Sequence, residues 1–150
     1  STLFPYTTLF RSDFFKTEEE KEQDEAIKIL KRIAERKKAR NEAGDELISS
    51  AFHDNLVTNG QISTGVGRSG LDVTNPIPVR GFSGLDDYFD KLNIKKKITW
   101  ASSRLGSASA QNINGNIDIY NLTAADGSSL KELYVCMYCN ETSFKIPEGF

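Results

Sequence analysis

The residues that could do chemistry in this 150-residue chain are few: two cysteines, one histidine and some glycine-flanked charges. Cys136-Met-Tyr-Cys139 has the C-x-x-C spacing. A redox pair of that kind sets its first thiol at a helix N-terminus, where the dipole stabilises thiolate. Here the motif instead closes an apolar run and enters Asn140-Glu141. A zinc site needs two further ligands, and His53 is the single histidine. Along a regular strand, residues i and i+3 point to opposite faces, so the spacing separates the thiols. Cys136 and Cys139 are therefore expected to be structural, with Cys136 buried and Cys139 more accessible. A metal held by both and a redox pair stand as the alternatives.

Gly65-Val-Gly67-Arg-Ser-Gly70 spells G-x-G-x-x-G. The dinucleotide fingerprint needs a strand before it and a helix opening on it. The polar lead-in and early Pro76 supply neither, so a flexible loop is expected. A serine or cysteine triad would have to use His53 as its base, and no G-x-S-x-G elbow surrounds any serine. Asp86, Asp87 and Asp90 read as a solvated acidic face. Arg104-Leu-Gly-Ser107 places a cation beside a small-residue turn that could cradle an anion. With Asp118, Tyr120 and Glu132 near strand ends, Arg104 and Ser107 define the polar cleft of a ligand-binding alternative. No catalytic residue is assigned, and no cofactor is expected.

The elements that must carry these residues are legible from charge and period. Between Asp13 and Glu46, 20 of 34 residues are charged; from Leu47 to Phe150, 19 of 104 are. That shift marks residues 13–44 as a charged helical arm and residues 45–150 as a single α+β domain. Thr17 and Glu20 have capping-box spacing, acidic residues crowd the arm's start and basic ones its end. Its apolar stripe, Ile27, Leu30, Ile33 and Ala34, falls short of a sustained heptad pattern. Gly44-Asp45 reads as a stop and a fresh N-cap, followed by a helix through Leu47, Ile48, Ala51, Phe52 and Leu56.

Residues 58–75, rich in Gly, Ser, Thr and Asn, read as a loop, and Pro76 and Pro78 keep the next residues extended. Leu85, Tyr88, Phe89 and Leu92 then give an amphipathic helix opening at Ser83. Beyond it the period changes to two. Strands are expected at Lys97 to Ser103, Asn116 to Thr123 and Leu130 to Tyr138, with a fourth at Ala108 to Ile113. Asn114-Gly115 and Asp126-Gly127 are turn signals. The fold expected is α+β, N-terminal helices followed by a three- to four-stranded antiparallel meander with one helix packed on it.

Nineteen basic against 21 acidic residues, net −2, argue against nucleic acid as a partner. The visible chain holds no run apolar enough to span a membrane. Residues 1–12, Ser-Thr-Leu-Phe-Pro-Tyr-Thr-Thr-Leu-Phe-Arg-Ser, resemble the in-frame translation of a widely used high-throughput sequencing adaptor. That resemblance implies an artefactual segment with no structural role, a true start lost upstream of Asp13, and a fragment such as metagenomic assembly yields. The remaining chain is expected to be cytoplasmic and non-catalytic, acting through a protein partner, for which Tyr88, Tyr120, Tyr134 and Tyr138 offer contact surface. An enzyme or small-ligand protein using the Arg104 cleft is the rival.

Overall fold

A computed structural model describes residues 16–96, 98–99, 104–124, 126–127 and 129–150. The adaptor-like residues 1–12 lie outside them, as do Lys97 and residues 100–103 of the first expected strand. The chain divides into two compact units, residues 1–39 and 40–150.

In the first unit, the described residues from Glu18 onward are those of a helix. The backbone N–H of Glu20 donates to Thr17 Oγ1 at 3.1 Å, the capping contact its spacing predicts. Helix α1 runs Glu18–Ile48 and contains no buried residue. Ile27, Leu30 and Ile33 are 60%, 64% and 55% exposed.

The expected break at Gly44-Asp45 does not occur. Glycine here serves close packing rather than termination, since a Cβ on Gly44 would sit 2.6 Å from the Phe82 ring. Asp45 caps a different helix. Its Oδ1 accepts the backbone N–H of Phe82 at 2.6 Å, and its Oδ2 the Ser83 hydroxyl at 2.7 Å. This is the N-terminus of α2 (Gly81–Lys96), which opens two residues before the expected Ser83. The helix expected over residues 47–56 shrinks to a 3-10 turn, Ser49–His53, because only Phe52 finds a buried seat. Leu47 and Leu56 stay 86% and 61% exposed.

Strands β1 (Val57–Thr58) and β2 (Gln61–Ile62) form a hairpin turned by Asn59-Gly60, both at positive φ. That conformation is what a two-residue hairpin loop demands. The main sheet holds β3 (Ile77–Pro78), β4 (Ile98–Thr99), β5 (Arg104–Ala108), β6 (Ile117–Ala124) and β7 (Ser129–Cys136). β4 and β5 pair with successive parts of the same edge of β6, and β6 pairs with β7, all antiparallel. The α+β class stands, but the sheet is mixed: β3 joins the free edge of β7 in parallel, Ile77 opposite Val135. An edge position suits Pro78, which has no N–H to donate, and Val79 N donates to Cys136 O at 2.9 Å beyond it. Ala108 closes β5, and residues 109–116 form a turn at Gln111-Asn112 within irregular backbone instead of the expected fourth strand.

The two faces of β7 explain its unbroken apolar run. One face packs Leu133, Val135 and Met137 with Tyr120 and Leu122 under Leu85, Tyr88, Phe89 and Leu92 of α2. The other packs Cys136 and Cys139 with Ile62, Ile113 and Ile117. A strand covered on both sides carries apolar residues at consecutive positions.

Candidate functional site

The polar cleft is built on β5 and β6. A register shift between Arg104 and Gly106 inserts Leu105 as a bulge. Through it, Arg104 stands opposite Tyr120 and Ser107 opposite Asp118, so these four residues share one face. Glu132 does not join them: it pairs with Asn121 and is exposed on the opposite face from Leu133 and Tyr120. Parity in β7 decides this, because adjacent residues of a strand alternate sides.

Arg104 directs Nε and Nη2 at Asp118 Oδ1, at 3.1 and 3.0 Å. The carboxylate is buried and the guanidinium half exposed. The hydrogen bonds Arg104 donates to Asp118, then the carboxylate's charge, raise the Arg104 pKa. Burial, reinforced by the negative charge of Asp118, pushes the Tyr120 phenol up to about 12. The Tyr120 ring meets Phe89 edge-on at 5.1 Å, anchoring it in the core. The cluster thus contains a cation aimed at its own counter-ion and a phenol that stays protonated near neutrality. Neither is poised for proton transfer at neutral pH.

The two cysteines depart from expectation. Both are fully buried, so Cys139 is no more accessible than Cys136. They are also neighbours: Cys139 Sγ donates to Cys136 O at 3.4 Å. The i, i+3 rule fails because β7 ends at Cys136. Tyr138 and Cys139 then bridge to Arg80 and Asn55 instead of continuing the strand. The neighbouring Cys139 side chain holds the Cys136 thiol below its usual pKa, and the Cys136 side chain together with burial drives Cys139 upward. Asn55, itself buried, lies beside them with Nδ2 3.5 Å from Cys136 Sγ. Among the described residues no group of three His, Cys, Asp or Glu side chains could hold a metal ion.

The glycine-rich segment is pinned, not flexible. Gly65 N, Val66 N and Gly70 N donate to Ile62 O, Thr74 O and Asn75 O at 2.8–2.9 Å. Arg68 N donates to Asp72 Oδ2 at 2.7 Å, which lowers the Asp72 pKa. The amides that would cradle a phosphate are thus taken by carbonyls and by an internal carboxylate. A Cβ on Gly70, at φ +80°, would strike Leu133 and Ile77 at 2.8–2.9 Å, so this glycine serves packing.

One feature escaped the sequence reading. A shallow cavity of about 90 Å³ lies between α2 and the C-terminal segment, with Lys91, Lys95 and Lys145 around Tyr88, Leu92 and Phe144. The helical spacing of Lys91 and Lys95 was visible; the return of residues 143–146 across them was not. Tyr88 Oη fixes that return by donating to Lys145 O at 2.8 Å. Comparisons with known protein families, with curated proteins and with solved structures give no match. Among the described residues, no helix is long and apolar enough to cross a membrane.

Proposed function

We propose that this chain is a small non-catalytic α+β domain that acts by binding a protein partner, with α1 as its contact element. One observation carries the reading: a 31-residue helix with no buried residue presents Ile27, Leu30 and Ile33 to solvent. A contiguous apolar stripe without a core beneath it is what an interaction surface looks like. The tyrosines offered as contact surface do not support the reading. Tyr88 and Tyr120 are buried, and Tyr134 and Tyr138 pack on the second core cluster. A cytoplasmic setting fits neighbouring buried cysteines that are free thiols.

A stripe kept for binding is dispensable for folding. Ile27→Glu with Leu30→Glu should leave the urea midpoint, followed by near-ultraviolet circular dichroism of the tyrosines, within about 0.5 kcal/mol of the parent. A loss above about 1 kcal/mol would make the stripe a folding element and remove the reading. The second reading, an anion or small-ligand site, is favoured by the convergence of Arg104, Ser107, Asp118 and Tyr120 on one face. Phosphate, sulfate, carboxylates and nucleotides screened by thermal shift decide it. A rise of several degrees that Arg104→Met abolishes would favour the ligand site.

A further inference from the structure

We propose that the partner of α1 is the α1 of a second copy of this chain, paired antiparallel across the Ile27–Leu30–Ile33 stripe. This rests on the partner-binding reading and deepens it by naming the occupant.

The argument begins with charge. Six of the eight residues 18–25 are acidic, with Lys21 the one base. Of the eleven residues 28–38, six are basic, with Glu35 the one acid. The apolar stripe begins at the junction with Ile27 and runs on through the first turns of the basic half. Antiparallel pairing centred on Leu30 lays residues 18–25 of one copy along residues 35–42 of the other, where Arg36, Lys37, Lys38 and Arg40 outnumber Glu35 and Glu42, at both ends of the contact. Parallel pairing would set acid against acid and base against base. Antiparallel helices also oppose their macrodipoles.

A second observation points the same way. Within each half, neighbours one turn apart repeat their sign: Glu18 and Glu22, Glu20 and Asp24, Lys28 and Arg32, Arg32 and Arg36. Like charges at i, i+4 destabilise an isolated helix. A second copy brings Arg36, Lys37, Lys38 and Arg40 to the acidic half, and the acidic half to them. Ile27, Leu30 and Ala34 fall at i, i+3 and i+7, with Ile33 on the flank, so the seam is narrow and one to two turns deep. So short a seam makes a weak dimer, in which the flanking charges govern orientation and make association sensitive to salt.

The test uses the full chain. Sedimentation velocity from about ten to several hundred micromolar should show a monomer–dimer equilibrium at low salt. Raising the salt to about 0.5 M should shift it toward monomer, because charges beyond a few ångströms are then screened. Ile27→Glu with Leu30→Glu should abolish it. Orientation is read by mixing two variants, Glu22→Cys and Lys38→Cys, and oxidising gently. Disulfides joining the two variants, with few between identical chains, are expected. Glu22→Cys chains joining one another would mean parallel pairing and overturn the proposal. A parent that stays monomeric throughout the concentration range would overturn it too. Neither result touches partner binding as such, which falls only if the stripe substitutions destabilise the fold.

Discussion

Asparagine side chains do much of the work of ordering this molecule. Asn55 Nδ2 lies 2.7 Å from Asn114 O and 3.0 Å from Tyr138 O, and Asn55 Oδ1 accepts Asn114 N at 3.0 Å. Asn112 likewise ties Thr64 O and Thr74 O together. A carboxamide offers donors and an acceptor with peptide-like geometry, so it can stand in for a missing strand. Asn55→Ala would orphan several backbone groups around Cys136, and each costs about 1–3 kcal/mol when buried. A total loss of about 2–4 kcal/mol is expected by urea unfolding, with faster labelling of Cys136 and Cys139. In the parent protein both thiols should label slowly and at similar rates, with or without a chelator. Tyr120 predicts the alkaline limit. Its pKa is about 12 in the fold against 10.0 for the free side chain, so the folded state holds its proton more tightly. The stability from this group is complete below about pH 10 and is lost as pH rises through about 12. Urea midpoints should therefore fall between pH 9 and pH 11.5, and less steeply in Tyr120→Phe.

At the scale of elements, Gly44 and Asp45 show why local pattern misleads. Together they resemble a helix end, yet both are read by α2. Asp45→Ala should cost about 1–2 kcal/mol, the usual value of an N-cap, although it sits inside another helix. Gly44→Ala ought to stabilise an exposed helix interior by about 1 kcal/mol. Contact with Phe82 should cancel or reverse that gain, and a clear rise in melting temperature would show the ring to be free to move. The sequence was most readable where an element's own neighbours decide it. Leu85, Tyr88, Phe89 and Leu92 form the buried face of α2, and β6 and β7 fall within a residue or two of their expected bounds. The Asn59-Gly60 hairpin carried a usable signal that the loop-like composition around it masked. The parallel seat of β3 left no local trace, since it depends on an edge that forms far along the chain. The candidate cleft was legible in the same measure. Alternation placed Asp118 and Tyr120 together, but the Leu105 bulge that adds Arg104 and Ser107, and the parity that removes Glu132, are properties of pairing.

For the whole molecule, the contrast between α1 and the rest predicts where proteolysis begins. Limited trypsin should cut among Lys28, Lys31, Arg32, Arg36 and Lys38, all exposed, before it cuts in the sheet. An exposed charged helix opens more readily than a packed sheet. Dilution should accelerate these cuts if the helices pair. Cuts at Arg80 or Lys91 ahead of the α1 sites would reverse this ranking of stabilities. The pairing of β3 with β7 has a consequence for biosynthesis. Ile77 leaves the ribosome long before Val135 exists, and the core face of α2 waits with it for Leu133 and Val135. At about 5–20 residues per second, apolar side chains of β3 and α2 spend seconds without their sheet. Cotranslational folding therefore cannot proceed element by element from the N-terminus; it completes only after β7 emerges.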